Sequence, residues 1–178
     1  SMLPALSVKV GGSEGLYSSI VIALGGGALV GTLGVSQLRK ESTRSASFVA
    51  SGIASGLSIV LLGVATDTNL LIPAAVLAGI SQASYMALSA TLVQDVVADR
   101  FRGRVMSLYI MIAAGHMAIL NLGFGQLAEV VDVRVLLVVP GLIWVALFLG
   151  FVLTLPEARS VAVKGRFTHD EQLAGEAT

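Results

Sequence analysis

The chain alternates between long apolar runs and short charged gaps. Five windows contain no Asp, Glu, Lys or Arg, and all eleven acidic and eleven basic residues lie between or beyond them. The windows cover residues 16–38, 46–66, 70–94, 105–128 and 135–155. Helices of 21 to 25 residues are about 31 to 37 Å long, which matches a bilayer core of about 30 Å with some tilt. The pattern therefore predicts five transmembrane helices.

Two other architectures explain this pattern less well. The surface helices of a soluble bundle carry a polar stripe at helical spacing, whereas the polar residues of these windows are few and uncharged. Strands of a membrane barrel would be about ten residues long with strict alternation. The composition agrees, with 55% hydrophobic and 12% charged residues against roughly 25% charged in a typical soluble domain. We predict an all-α integral membrane protein.

The basic residues lie mainly in alternate gaps. Nine lie on one side of the predicted membrane, whereas the other side has only Lys9 and Arg134. The nine are Arg39, Lys40, Arg44, Arg100, Arg102, Arg104, Arg159, Lys164 and Arg166. Because cytoplasmic loops carry an excess of Lys and Arg, we expect the basic gaps and the C-terminus to be cytoplasmic, in the inner (plasma) membrane. Residues 156–178 are interpreted as a cytoplasmic tail, and residues 1–8 as the end of a preceding helix.

Small residues recur at helical spacing in the first two windows. One face of the first carries Ala23, Gly27, Gly31 and Gly34, and one face of the second carries Gly52, Gly56 and Gly63. Small residues let helix backbones approach closely, which is how helices associate in lipid. We therefore predict that these glycines lie at helix contacts, with bending during a conformational cycle as the alternative.

The third window is the most polar. Ser81, Gln82, Tyr85 and Ser89 fall within about 100° of one another on a helical wheel. Side chains of this kind at membrane depth should face protein or a water-filled cavity rather than lipid. They are candidates for a substrate pathway or, equally, for hydrogen bonds between helices.

The fourth window contains His116 and Asn121, which lie about 140° apart around a helix. We include both as substrate-pathway candidates. An intramembrane histidine can relay protons because its ordinary pKa is near physiological pH, although a neutral side chain with one hydrogen-bond partner is the commoner case.

Recognisable catalytic chemistry is missing from the sequence. Cysteine is absent and there are only two histidines, so no metal-ligand motif is formed. The phosphate loop, HExxH, GxSxG and CxxC motifs are also absent, and a serine hydrolase would lack a recognisable base. The basic and acidic residues cancel, so no global charge favours nucleic acid. We expect no enzyme activity, no cofactor and no bound metal.

One charged gap is also a family signature. The segments Thr91-Leu92-Val93-Gln94 and Asp99-Arg100-Phe101-Arg102-Gly103-Arg104-Val105-Met106-Ser107-Leu108 resemble the link between helices ten and eleven in major facilitator superfamily exporters of the drug:proton antiporter and enterobactin-exporter branch. There the pattern is T-L-x-Q followed by D-x-x-R-G-R-V-M-S-L. The resemblance implies that the five spans correspond to helices eight to twelve of a twelve-helix transporter.

The chain departs from this family at two places. In the loop between helices eight and nine, Leu38 stands where the family often has Asp, and Glu41 stands where it often has Gly. Ala118 stands near a position where helix eleven usually carries Pro. These differences put an inherited gating role and an inherited substrate preference in doubt.

The sequence and the resemblance together predict the C-terminal bundle of a secondary active exporter. It would move a small amphipathic molecule, of drug or siderophore type, by alternating access and with proton coupling. Its expected partners are the lipid bilayer, an N-terminal half and the small-molecule substrate. The alternative is a non-transporting scaffold or regulatory half that pairs with another chain.

The basic gaps also suggest a gate on the cytoplasmic side. Asp95 or Asp99 could pair with Arg39, Lys40 or Arg44 of the neighbouring loop, while Arg100, Arg102 and Arg104 hold the turn at the surface. Exposed pairs are worth only about 0 to 1 kcal/mol, so simple topology anchors are the competing interpretation.

Overall fold

The computed structural model describes residues 6–7, 14–128 and 130–154. Within these ranges the chain is helical and has no strand. The five long helices are α1 (Glu14–Ser36), α2 (Glu41–Val64), α3 (Thr68–Val96), α4 (Arg102–Leu127) and α5 (Val133–Thr154). All five are long and apolar enough to cross a membrane. The prediction of an all-α membrane protein with five spans is confirmed.

The bounds of the helices differ from those of the charge-free windows. Local side-chain contacts, which the windows do not take into account, explain where some helices begin. α3 begins at Thr68 because the preceding Asp67 caps it, its carboxylate accepting the Leu70 N–H at 2.9 Å. A short 3-10 turn (Asp99–Phe101) connects α3 to α4. The predicted helix end at 1–8 lies outside the described residues except for Leu6 and Ser7, which are helical. The predicted tail at 156–178 also lies outside them.

Four of the helices pack in a row. α1 packs on α3, α3 packs on α2, and α2 packs on α5. A buried apolar cluster joins the start of α1, the end of α2 and the starts of α3 and α5, through side chains such as Ile20, Leu62, Leu71 and Val133. Since these are the helix ends away from the basic connections, the apolar cluster and those connections lie at opposite ends of the helices.

Glycines set how closely these helices approach. Gly27 and Gly31 of α1 are buried, and a Cβ atom on either would meet a carbonyl oxygen of α3, that of Val76 or Ile80. Gly52 and Gly56 are buried on α2, where a Cβ atom would meet the Phe148 ring or the side chains of Trp144 and Val145 on α5. These four glycines therefore lie at helix contacts, as does Gly63, whose Cβ atom would meet Val138 of α5. The prediction is wrong for Gly34, where a Cβ atom would meet nothing within 4 Å.

α4 is packed differently from the other four. It makes few contacts with α3, and none of its residues is buried. Its apolar side chains are open to the surroundings, with Ile119 72% and Leu122 68% exposed. A helix of membrane length in this position needs lipid or further protein around it.

Candidate functional site

α2 is the central element of the candidate site, because two of its faces contact different helices. Gly52 and Gly56 face α5, where the rings of Trp144 and Phe148 occupy the space that the missing side chains leave. Ser58 lies on another face and approaches α3. The glycine face allows close packing, and the serine face brings hydroxyl groups to the contact.

The serine face meets Ser81, one of the predicted pathway residues. The Oγ atoms of Ser58 and Ser81 are 3.4 Å apart, and both residues are buried. The Ser58 hydroxyl donates to the Ser55 carbonyl at 2.8 Å, and the Ser81 hydroxyl donates to the Leu77 carbonyl at 2.7 Å. Each hydroxyl has one proton, so a hydrogen bond between the two serines requires one of them to rotate away from its carbonyl.

Tyr85, one turn after Ser81, joins a cluster of four aromatic rings from three helices. We call this the aromatic cluster: Phe48 of α2, Tyr85 of α3, and Trp144 and Phe148 of α5. The Phe48 and Tyr85 rings stack with their centroids 5.2 Å apart. The Trp144 ring meets Tyr85 edge-on at 5.6 Å. Such pairs contribute about 0.5 to 1.5 kcal/mol each beyond burial, so the aromatic cluster holds three helices together.

The indole of Trp144 adds a polar contact to the aromatic cluster. Its N–H donates to the carbonyl oxygen of Gly52 at 2.9 Å. This bond depends on Gly52 having no side chain, because a Cβ atom there would collide with Phe148. An indole N–H at membrane depth needs a partner even where the ring is partly exposed, and the close approach of α2 to α5 supplies one.

Sequence reasoning identified Tyr85 but missed Phe48, Trp144 and Phe148. No spacing rule relates residues of three different helices, because periodicity reports only which residues share a face of one helix. The available signal was indirect: Gly52 and Gly56 indicated a face of α2 at which another helix packs closely, but not which residues lie opposite them.

The remaining pathway candidates lie in different surroundings. Gln82 is exposed on α3, and Ser89 is half-buried with its hydroxyl donating to the Tyr85 carbonyl at 2.6 Å. His116 and Asn121 are exposed on α4. Within the described residues, no hydrogen bond connects either of them to Ser81, Gln82, Tyr85 or Ser89. The structure therefore brings Ser81 and Tyr85 against neighbouring helices, bonds Ser89 to its own helix, and leaves Gln82, His116 and Asn121 open.

At the end of the helices with the basic connections, Arg44 links three elements. Its Nε donates to the carbonyl of Leu38, just after α1, at 3.0 Å. Its Nη1 lies 4.0 Å from Oδ2 of Asp95 at the end of α3. Of the pairings considered from sequence, this is the contact that forms.

The other charged side chains that the structure describes at this end are largely solvent-exposed. Asp99 pairs with Arg102 in the next turn of the same segment, at 2.7 Å. The Arg100 guanidinium lies 4.6 Å from the centre of the Phe101 ring. Arg39, Lys40 and Arg104 are exposed as well. No group of three or more His, Cys, Asp or Glu that could hold a metal is present in the part of the chain that the structure describes.

The class of protein follows from this arrangement. Five helices of membrane length, with charge confined to their ends, define a multi-pass membrane protein. A sequence model of the transmembrane secretion effector family, a family of the major facilitator type, matches residues 1–177, and the chain belongs to that family. Membership points to a transporter rather than an enzyme. No curated protein and no solved structure matches the chain.

Proposed function

We propose that this chain is the C-terminal bundle of an exporter that moves a small amphipathic molecule, of drug or siderophore type, by alternating access with proton coupling. The observation that carries the proposal is the match to the transmembrane secretion effector family over residues 1–177. The segment 91–108, with its similarity to the link between helices ten and eleven of drug:proton antiporters, supports the assignment of the five helices to positions eight to twelve.

The chemistry of α3 supports an amphipathic substrate. Gln82 offers an exposed amide, and Tyr85 and Trp144 are only partly buried at membrane depth. An amide beside aromatic rings suits a molecule with one polar and one apolar part. Gln82, Tyr85 and Trp144 are therefore the side chains that we assign to substrate contact.

α4 supports the expectation of a second bundle. It has no buried residue, yet it carries His116 and Asn121 within its membrane-spanning length. Polar side chains at that depth need a protein or water partner. We assign this role to an N-terminal half. Because the five charge-free windows contain no Asp or Glu, the acids that couple proton entry to export would lie in that half.

Export by cells tests the proposal directly. The full protein that contains this chain is produced in a bacterial strain without its major efflux pumps, and the accumulation of amphipathic dyes and catecholate siderophores is measured. We expect lower accumulation of at least one compound, and recovery of accumulation after a protonophore removes the proton gradient.

A matched pair of variants connects export to the site. Gln82→Leu should change export of the affected compound, while Met86→Leu, at another exposed α3 residue one turn away, should leave it unchanged. Unchanged accumulation of every compound, with the protein abundant in the membrane, would contradict transport. Export that continues in the presence of the protonophore would contradict proton coupling but not transport.

A further inference from the structure

The connection between α3 and α4 combines exposed positive charge with exposed apolar side chains. We call residues 96–104 the basic turn. Val96 is 61% and Phe101 is 43% exposed, and Arg100, Arg102 and Arg104 are exposed beside them. Asp99 pairs with Arg102 at 2.7 Å. Arg100 and Arg104 have no carboxylate partner among the described residues, so the basic turn carries uncompensated positive charge.

The basic turn lies at the level where lipid headgroups are found. α3 has 29 residues and is about 43 Å long, which exceeds a hydrocarbon core of about 30 Å. Its end at Val96 therefore reaches the interface between membrane and water. Aromatic side chains favour this interface, and arginines there face the phosphates of anionic lipids.

We propose that the basic turn binds the phosphate groups of anionic phospholipids, with Phe101 inserted among the headgroups and Arg100 and Arg104 contacting phosphate. The Arg100 guanidinium lies over the Phe101 ring at 4.6 Å from its centre, and a cation–π contact of this kind does not use the N–H groups that would bind phosphate. The positive charge and the exposed ring are complementary to an anionic headgroup layer. This inference does not depend on the transport function.

Native mass spectrometry of the purified full protein that contains this chain tests the proposal. The protein is held in a neutral detergent with equal amounts of phosphatidylglycerol and phosphatidylcholine, and the lipid retained is counted. In the variant R100Q/R104Q, we expect retention of phosphatidylglycerol to fall about twenty-fivefold, because each arginine near an anionic surface contributes about a fivefold factor. Retention of phosphatidylcholine should not change.

The control variant R39Q/K40Q removes two positive charges from the other basic connection of the same membrane side. It should lower phosphatidylglycerol retention much less than R100Q/R104Q does. Equal losses in both variants would show that diffuse charge attracts the lipid, and no loss in either would show that the basic turn does not bind it. Both results would overturn the proposal, as would equal displacement of the lipid by inorganic phosphate at the same concentration.

A third variant keeps the test valid if R100Q/R104Q loses its helical circular dichroism. Phe101→Ala leaves the charge unchanged and removes the inserted ring. It should weaken retention of phosphatidylglycerol while Val130→Ala, an exposed apolar residue at the opposite end of the helices, should not. Identical retention by these two variants would contradict the role of Phe101 in the basic turn.

Discussion

At the residue scale, identical glycines have different roles because of what lies opposite each of them. Gly25, Gly26 and Gly27 are consecutive in α1, but a Cβ atom on the first two would meet nothing within 4 Å. On Gly27 it would meet the Val76 carbonyl oxygen, and the Ile80 nitrogen at 3.1 Å. Backbone atoms of α3 cannot move aside as a flexible side chain can. The spacing of Gly27 and Gly31 identified the packed face, and the structure identifies its partner.

Gly27→Ala should therefore weaken the contact between α1 and α3. We expect the free energy of unfolding to fall by about 1 to 3 kcal/mol, the usual cost of overpacking a tight contact. Unfolding by sodium dodecyl sulfate, followed by far-ultraviolet circular dichroism, measures the change.

Gly26→Ala is the matched control, since it adds the same methyl group one residue earlier on the open side of α1. It should change the free energy of unfolding by no more than about 0.5 kcal/mol, as is usual for surface substitutions. If Gly27→Ala and Gly26→Ala unfold alike, the predicted close contact at Gly27 is wrong.

At the element scale, Arg44 connects the ends of α1, α2 and α3. We propose that its contact with Asp95 is a gate element, which holds these helix ends together in one state of the transport cycle and releases them in another. The contact is long, at 4.0 Å, and both side chains are partly exposed at 38% and 58%. Such a pair is worth at most about 1 kcal/mol, which suits a contact that must break repeatedly.

Asp95→Asn tests the gate while preserving the size of the side chain. We expect the export rate of the full protein to differ measurably from that of the wild type, by up to about fivefold, the factor that corresponds to an exposed ion pair. Asp99→Asn is the control, because Asp99 pairs within its own segment with Arg102 at 2.7 Å. Export by Asp95→Asn at the wild-type rate, with equal membrane abundance, would leave Arg44 and Asp95 as simple topology anchors.

At the scale of the whole molecule, the distribution of charge fixes the orientation that we propose. The connections between α1 and α2 and between α3 and α4 lie at the same end of the helices, because successive spans run in opposite directions. These connections contain Arg39, Lys40, Arg100 and Arg102. Moving arginines across the bilayer core is costly, so this end should stay in the cytoplasm.

Labelling of single cysteines tests this orientation. The 178 residues contain no cysteine, so the introduced cysteine is the one in this chain that can react. Ala98→Cys, in the connection before α4, should react with a membrane-impermeant maleimide only after the cells are permeabilised. Thr66→Cys, in the connection between α2 and α3, should react in intact cells. Both positions are exposed, so a difference in reactivity reports the side of the membrane. The reverse pattern would show the opposite orientation.

Much of the fold could be predicted because a membrane restricts which sequences and backbone structures can cross it. The hydrocarbon core excludes charge and requires internally satisfied backbones, so charge-free windows of sufficient length indicate helices. The aromatic cluster could not be predicted in this way. Phe48, Tyr85 and Trp144 lie on three helices, and their meeting depends on which helices are neighbours and how each is rotated.

The contact between Arg44 and Asp95 shows the same limit. The sequence left two acids and three basic residues of the basic connections as possible partners. α2 and α3 pack against each other, which brings Arg44 near Asp95, while Asp99 lies in the 3-10 turn beside Arg102. Distance in space, rather than charge, decides which pair forms.

The sequence by itself therefore determined the all-α class and the five spans, because the exclusion of charge from lipid acts on each segment separately. The tertiary structure alone decided that α1, α3, α2 and α5 pack in this order and that α4 stays without a buried residue. It also decided which faces meet, joining Gly52 to Trp144 and Ser58 to Ser81. Lipid supplies no hydrophobic force between helices, so these choices depend on the fit of small and large side chains across each contact.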